Sequence, residues 1–160
     1  MSKKLWICSI GCLIIGLAIG YFCGLAGIKR RALDVNAACN MGVVTTALRE
    51  ANEAYHHETH PVAIYALTRA LDQMNLCDQH PEHYAISGEP FFMSRQQFAF
   101  YMMMTHARLA EIYGETGQTN LSQQHIPNML RYAKDGTNYP SIAKEPALLK
   151  FVHNQEKGAK

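Results

Sequence analysis

The chain has 160 residues, 48% of them apolar, and a formal net charge of +2, enough for one compact domain and little more. Five of the fifteen basic residues (Lys3, Lys4, Lys29, Arg30 and Arg31) bracket a single apolar segment. The other ten face all thirteen acids, so residues 32–160 carry −3, which excludes the clustered basic surface of a duplex-binding protein.

That segment is the first predicted element. The 24 residues from Leu5 to Ile28 contain no charge. As a helix they reach about 36 Å, against about 30 Å of hydrocarbon, so they span a bilayer with some tilt. The apolar core of a cleaved signal peptide is about 7–15 residues with a small-x-small site after it. This run is longer, and its glycines lie inside it. A lipoprotein signal at Gly11-Cys12 is disfavoured by Ser9, where such signals usually carry a large aliphatic residue. The basic flanks suit anionic headgroups. Within the run, Cys8, Cys12, Gly16, Gly20 and Gly24 recur every fourth residue. Small residues in register let two membrane helices approach closely, so this stripe is the expected surface for a homodimer or another membrane protein. Residues 1–31 are therefore read as an anchor and 32–160 as a soluble helical domain.

The domain is predicted to open with a helical hairpin: a helix from about Asp34 to Glu58, a turn at Thr59-His60-Pro61, and a helix to about Cys77. Cys39 lies 21 residues before His60 and Cys77 17 after it, about 31 and 26 Å, so both sit near the open end of the hairpin. That level placement permits a disulfide, which persists only in an oxidising compartment; two buried free thiols are the alternative. The flanking charges barely discriminate the two sides of a membrane. The cysteines favour a bacterial inner-membrane protein with its domain in the periplasm.

A breaker-rich loop, Asp78 to Met93, comes next. Ser94 with Gln97 has the spacing of a capping box and opens a helix through about Glu115. Gly117 ends it, a helix from about Asn120 to Lys134 follows, and Asp135-Gly136 closes that one. A short helix near Glu145 to His153 ends the chain. No stretch alternates convincingly as a strand. The expected fold is all-α: one transmembrane helix, then a bundle of about five helices.

In the second hairpin, Leu109-Ala110-x-x-Tyr113-x-x-x-Gly117 is followed by Ser122, Ile126 and Met129. This pattern resembles one tetratricopeptide repeat, with Met129 departing from the usual small residue. Ala63, Leu67, Ala70 and Leu71, with Ala51 and either Ala54 or Tyr55, more weakly resemble a second unit, whose turn carries Thr59 where glycine is usual. The spacing from Ala63 to Ser122 is 59 residues, against a family period of about 34, so the loop interrupts any tandem stacking. The resemblance implies a protein- or peptide-binding scaffold rather than an active site.

Candidate chemistry is sparse. His56 and His60, and the spacing Cys77-x-x-His80-x-x-His83, have zinc-like donors, but His60 and His80 each precede a proline, and solvated loop histidines are the preferred reading. No nucleophile elbow and no haem-attachment motif is present, so no enzyme, cofactor or metal is expected. The densest apolar patch, Phe91 to Met93 with Phe98 to Met104, reads either as a helix buried on several sides or as a partner surface formed by Phe98, Tyr101, Met102, Met103 and Met104. Taken together, the sequence points to a membrane-anchored interaction module, an adaptor or assembly subunit of an envelope complex binding lipid and other membrane proteins. The alternatives are a prophage- or plasmid-encoded exclusion factor that blocks entry of foreign DNA, and a metal-dependent enzyme using the His/Cys-rich loop.

Overall fold

The computed structural model describes residues 3–86 and 93–136, the helical positions 147, 148, 150–152 and 154, and side chains from Gly16 onward. The described residues are helical, and none of them forms a strand. Helix α1 covers Lys3–His57, α2 His60–Gln79, α3 Arg95–Glu115 and α4 Thr119–Gly136, with a 3₁₀ turn at Pro81–Tyr84 between α2 and α3.

The first departure from expectation is α1. The segments expected to be an anchor and a first hairpin helix are one unbroken helix of 55 residues. Lys29-Arg30-Arg31-Ala32-Leu33 separates them in charge, yet every one of these residues is a good helix former, so nothing interrupts the backbone. Burial on α1 begins at Ala37 and continues at Val44, Ala47, Ala51 and Ala54, one stripe at helical spacing. Among the described side chains before Ala37, those from Gly16 to Asn36 are exposed apart from half-buried Asp34, so this stretch projects free of the domain. Leu17, Ile19, Tyr21, Phe22 and Ile28 are all at least 59% exposed. Among the described residues no helix is long and apolar enough to cross a membrane. The side chains of residues 3–15, which carry the first eleven positions of the uncharged run, lie outside the described ones.

Helix α2 returns along α1. Thr59 is its N-cap and Pro61 stands in its first turn, where a missing N–H costs nothing. Its buried face, Ala63, Leu67, Ala70, Leu71, Met74 and Cys77, meets the α1 stripe, and alanines on both sides allow close approach. An exposed Arg69–Glu50 pair at 2.7 Å crosses the seam.

The α3–α4 hairpin begins with the capping box foreseen in the sequence. The Gln97 backbone N–H donates to Ser94 Oγ at 3.1 Å, and the Ser94 N–H donates to Gln97 Oε1 at 3.0 Å. Ser94→Ala is expected to cost about 1 kcal/mol of stability, read as a lowered denaturation midpoint at unchanged m-value. Helix α3 ends in a Schellman motif: the Gln118 N–H donates to the Tyr113 carbonyl (2.8 Å) and the Gly117 N–H to the Gly114 carbonyl (3.1 Å). Gly117 holds φ +75°, which disfavours any residue with a Cβ.

Two clusters form the core. One joins α1, α2 and α3 around Val44, Leu67, Met74, Phe98, Met102 and Leu109. The other joins α3 to α4 around Met103, Ala107, Met129 and Ala133, and is covered by Leu148 and Val152 from the last helical stretch. Helix α3 therefore packs on both sides.

That position corrects the expected partner surface. Phe98, Met102, Met103 and Met104 are 0–8% exposed, and of the five named residues only Tyr101 is exposed. Seven consecutive apolar residues are accommodated because each side of α3 faces a different core. Phe91 and Phe92 lie outside the described residues. The disulfide is corrected as well. Cys39 and Cys77 are both free thiols, Cys39 exposed and Cys77 buried. Cys39 follows the inward-facing Ala37 by two residues, about 200° around the helix, so it faces away from the seam that holds Cys77. With the bond goes the argument for an oxidising compartment.

Candidate functional site

Three places collect polar side chains in a way that chemistry or recognition could use. The first is a groove of about 550 Å³ between α1 and α3. The two helices run parallel: Arg108 Nη2 donates to Asn52 Oδ1 at 2.8 Å and Tyr55 Oη to Glu111 Oε2 at 2.5 Å, a constant offset of 56 residues. The Arg108 guanidinium also lies 4.7 Å from the centre of the Tyr55 ring. These contacts close one end of the groove. From there its lining runs toward the N-terminal ends of the two helices, through Thr45, Leu48 and Arg49 on α1 and Gln97, Phe100 and Tyr101 on α3. Two arginines, Arg49 and Arg108, line it and no carboxylate does. Tyr101 is the one residue of the expected partner surface that is both exposed and in this lining.

The second place is a histidine pair between α3 and α4, His106 buried and His125 half-buried, which the sequence reading missed. His106 and His125 approach Nδ1 to Nδ1 at 2.9 Å. Tyr132 stacks on the first ring and Tyr113 on the second. At this distance one Nδ1 carries the hydrogen and the other accepts it, so the two rings cannot both be protonated, and when both are neutral they are of opposite tautomer. Burial, followed by the neighbouring His125, pulls His106 down to about 4. Burial also lowers His125. The sequence held a signal for the pair: His106 and His125 stand at similar distances on either side of the hairpin turn at Gly117, hence at one level across it.

The third place is the 3₁₀ turn after α2, where His80, Glu82 and His83 bring their ligand atoms within 4.8 Å of one another, all exposed. Hydrogen bonding to its own backbone, then the adjacent His80 and His83, holds the Glu82 carboxyl below the usual carboxylate range. Of the spacing Cys77-x-x-His80-x-x-His83, the turn unites the two histidines and excludes the cysteine. Cys77 is instead buried in the first core cluster, where burial, then the Asp78 charge, pushes its thiol up to about 11. His56 and His60 do not join this cluster.

Gly16, Gly20 and Gly24 have nothing within 4 Å of where a Cβ would stand, so the described part of the small-residue stripe is uncovered. Cys8 and Cys12, its other members, lie outside the described side chains. Comparison with known proteins finds no matching family model, no matching curated protein and no matching solved structure.

Proposed function

We propose that this chain is a single-pass membrane protein whose helical domain binds another membrane or envelope protein, as an adaptor or assembly subunit. The observation that carries this reading is the course of α1, which runs without a break from the uncharged segment into the wall of the groove. Supporting the anchor are the 24 uncharged residues of the sequence and the bare apolar side chains from Leu17 to Ile28. Such a surface is costly to leave in water and is satisfied by lipid. The basic residues Lys29, Arg30 and Arg31 mark where it ends.

The unbroken course of α1 supports a position for the groove beyond the lipid-facing segment. Thr45 stands 17 residues beyond Ile28, about 26 Å farther along the axis. On this reading the N-terminal end of the groove lies toward the membrane, and the Tyr55–Glu111 contact lies at the far end. Its occupant is the membrane-proximal stretch of a partner, apolar against Leu48 and Phe100 and acidic against Arg49 and Arg108. Parallel first helices in successive hairpins are also what a tetratricopeptide-like scaffold requires, and such scaffolds hold peptides between those helices.

A photo-crosslinking residue at Tyr101 tests this in cells. The expected result is a membrane-fraction adduct with one protein, weakened about tenfold by Arg49→Glu, since reversing a rim charge against an acidic segment is worth on the order of 1.4 kcal/mol. A chain recovered in the soluble fraction, or an adduct indifferent to Arg49→Glu, overturns the reading.

A further inference from the structure

We propose that His80, Glu82 and His83 form a binding site for a divalent ion of the zinc class, and that the ion braces the 3₁₀ turn against α1. The turn itself creates the constellation. A 3₁₀ helix has three residues per turn, so positions i and i+3 eclipse. His80 and His83 accordingly stack, ring centres 5.3 Å apart and planes within 18°. Glu82 reaches between them. Its Oε1 lies 3.4 Å from His80 Nδ1 and 3.7 Å from His83 Nε2.

These separations are long for hydrogen bonds. They match coordination. Donors held about 2.0–2.2 Å from a tetrahedral ion stand about 3.3–3.6 Å from one another. The remaining distance, between the two imidazoles, is no more than 4.8 Å, and exposed rings close it by rotation. Two imidazoles and one carboxylate suit zinc, nickel or copper, whereas magnesium and calcium prefer oxygen donors throughout. Three protein ligands leave the fourth position to water.

The backbone of the site is already fixed. Tyr84 is buried in the first core cluster and holds the end of the turn. The Asn40 side chain donates to the His83 carbonyl at 2.9 Å, which ties the turn to α1. Asn40 lies three residues past Ala37, the first buried residue of α1. An ion here stiffens the junction at which the projecting helix enters the domain. The sequence spacing concealed the site because it counted Cys77 and omitted Glu82.

Calorimetric titration of the full chain in detergent micelles with zinc chloride tests the proposal, with magnesium chloride run alongside. One zinc ion per chain with a micromolar Kd is expected, and no heat from magnesium. Glu82→Gln is expected to weaken zinc by about tenfold or more, and His80→Ala with His83→Ala to abolish it. His56→Ala with His60→Ala is expected to leave it unchanged. His60, His80, Glu82 and His83 are exposed and His56 is half-buried, and these variants are expected to retain the helical circular dichroism of the parent. Absence of zinc binding, or full stoichiometry retained in the His80→Ala/His83→Ala double variant, overturns the site.

Discussion

Acidification is expected to loosen the α3–α4 hairpin well before the surface carboxylates titrate. His106 binds its proton at about 4 in the folded protein against about 6.5 unfolded, because burial and the facing His125 disfavour the cation. The sign follows directly. Between these values the unfolded chain binds more protons than the folded one, so stability rises with pH across the window and falls as pH drops through it. Stability is full above about pH 6.5. The loss grows below that and approaches about 3 kcal/mol near pH 4, since each unit of separation is worth about 1.36 kcal/mol. His125, lowered in the same direction, adds to the same window. The lowered Glu82 also loses stability on acidification, but only below the ordinary carboxylate value of 4.5. The interval from pH 6.5 to 5 therefore isolates the histidines. Urea midpoints followed by circular dichroism at pH 7, 6 and 5 should fall steadily. His106→Leu, which removes the titrating ring at similar volume, should flatten the dependence. A native midpoint that does not move between pH 7 and pH 5 would refute the assignment.

Leu67→Ala should be the most damaging single truncation of the first core. Leu67 has no exposed surface, and it sits where α2 meets both α1 and α3. Cores recover part of a deletion by collapse, but several neighbours here cannot take part. Ala47, Ala51, Ala63 and Ala70 have no side chain to swing into the void. The cost therefore belongs toward the upper part of the usual range of about 2–5 kcal/mol. Tyr65→Ala on the same helix, at a position 70% exposed, should stay within about 0.5 kcal/mol of the parent. Equal effects at the two positions would mean that α2 does not pack through this face.

The parts of the fold legible in the sequence are those fixed by local backbone chemistry. Ser94 and Gln97 satisfy each other's amides wherever they occur at a helix start, and Gly117 takes a conformation that other residues resist, so α3 was bounded correctly at both ends. The site was legible only where one turn of chain contains it. His80 and His83 were visible as a spacing, but Glu82 joins them only through the tighter winding of a 3₁₀ turn. Three further features depend on direction around a helix. Cys39 and Cys77 are level along the hairpin and face different ways. Phe98 to Met104 could not be divided into inward and outward residues without knowing that α3 has a core on each side. His106 and His125 meet only because α4 folds back at one particular rotation. Periodicity gives height along a helix more readily than it gives facing across one.

The continuity of α1 has a geometric outcome. At about 100° per residue, the 29 positions from Gly20 to Arg49 complete eight turns with about 20° left over. Glycine ladder and groove wall thus look out on one side of the rod. Under the anchoring proposed above, a partner lying against the glycines would stand directly below the groove, and two copies joined there would bring their grooves face to face. Rolling the N-terminal half of the rod would swing the arginine wall by the same angle, as a key turns its bit.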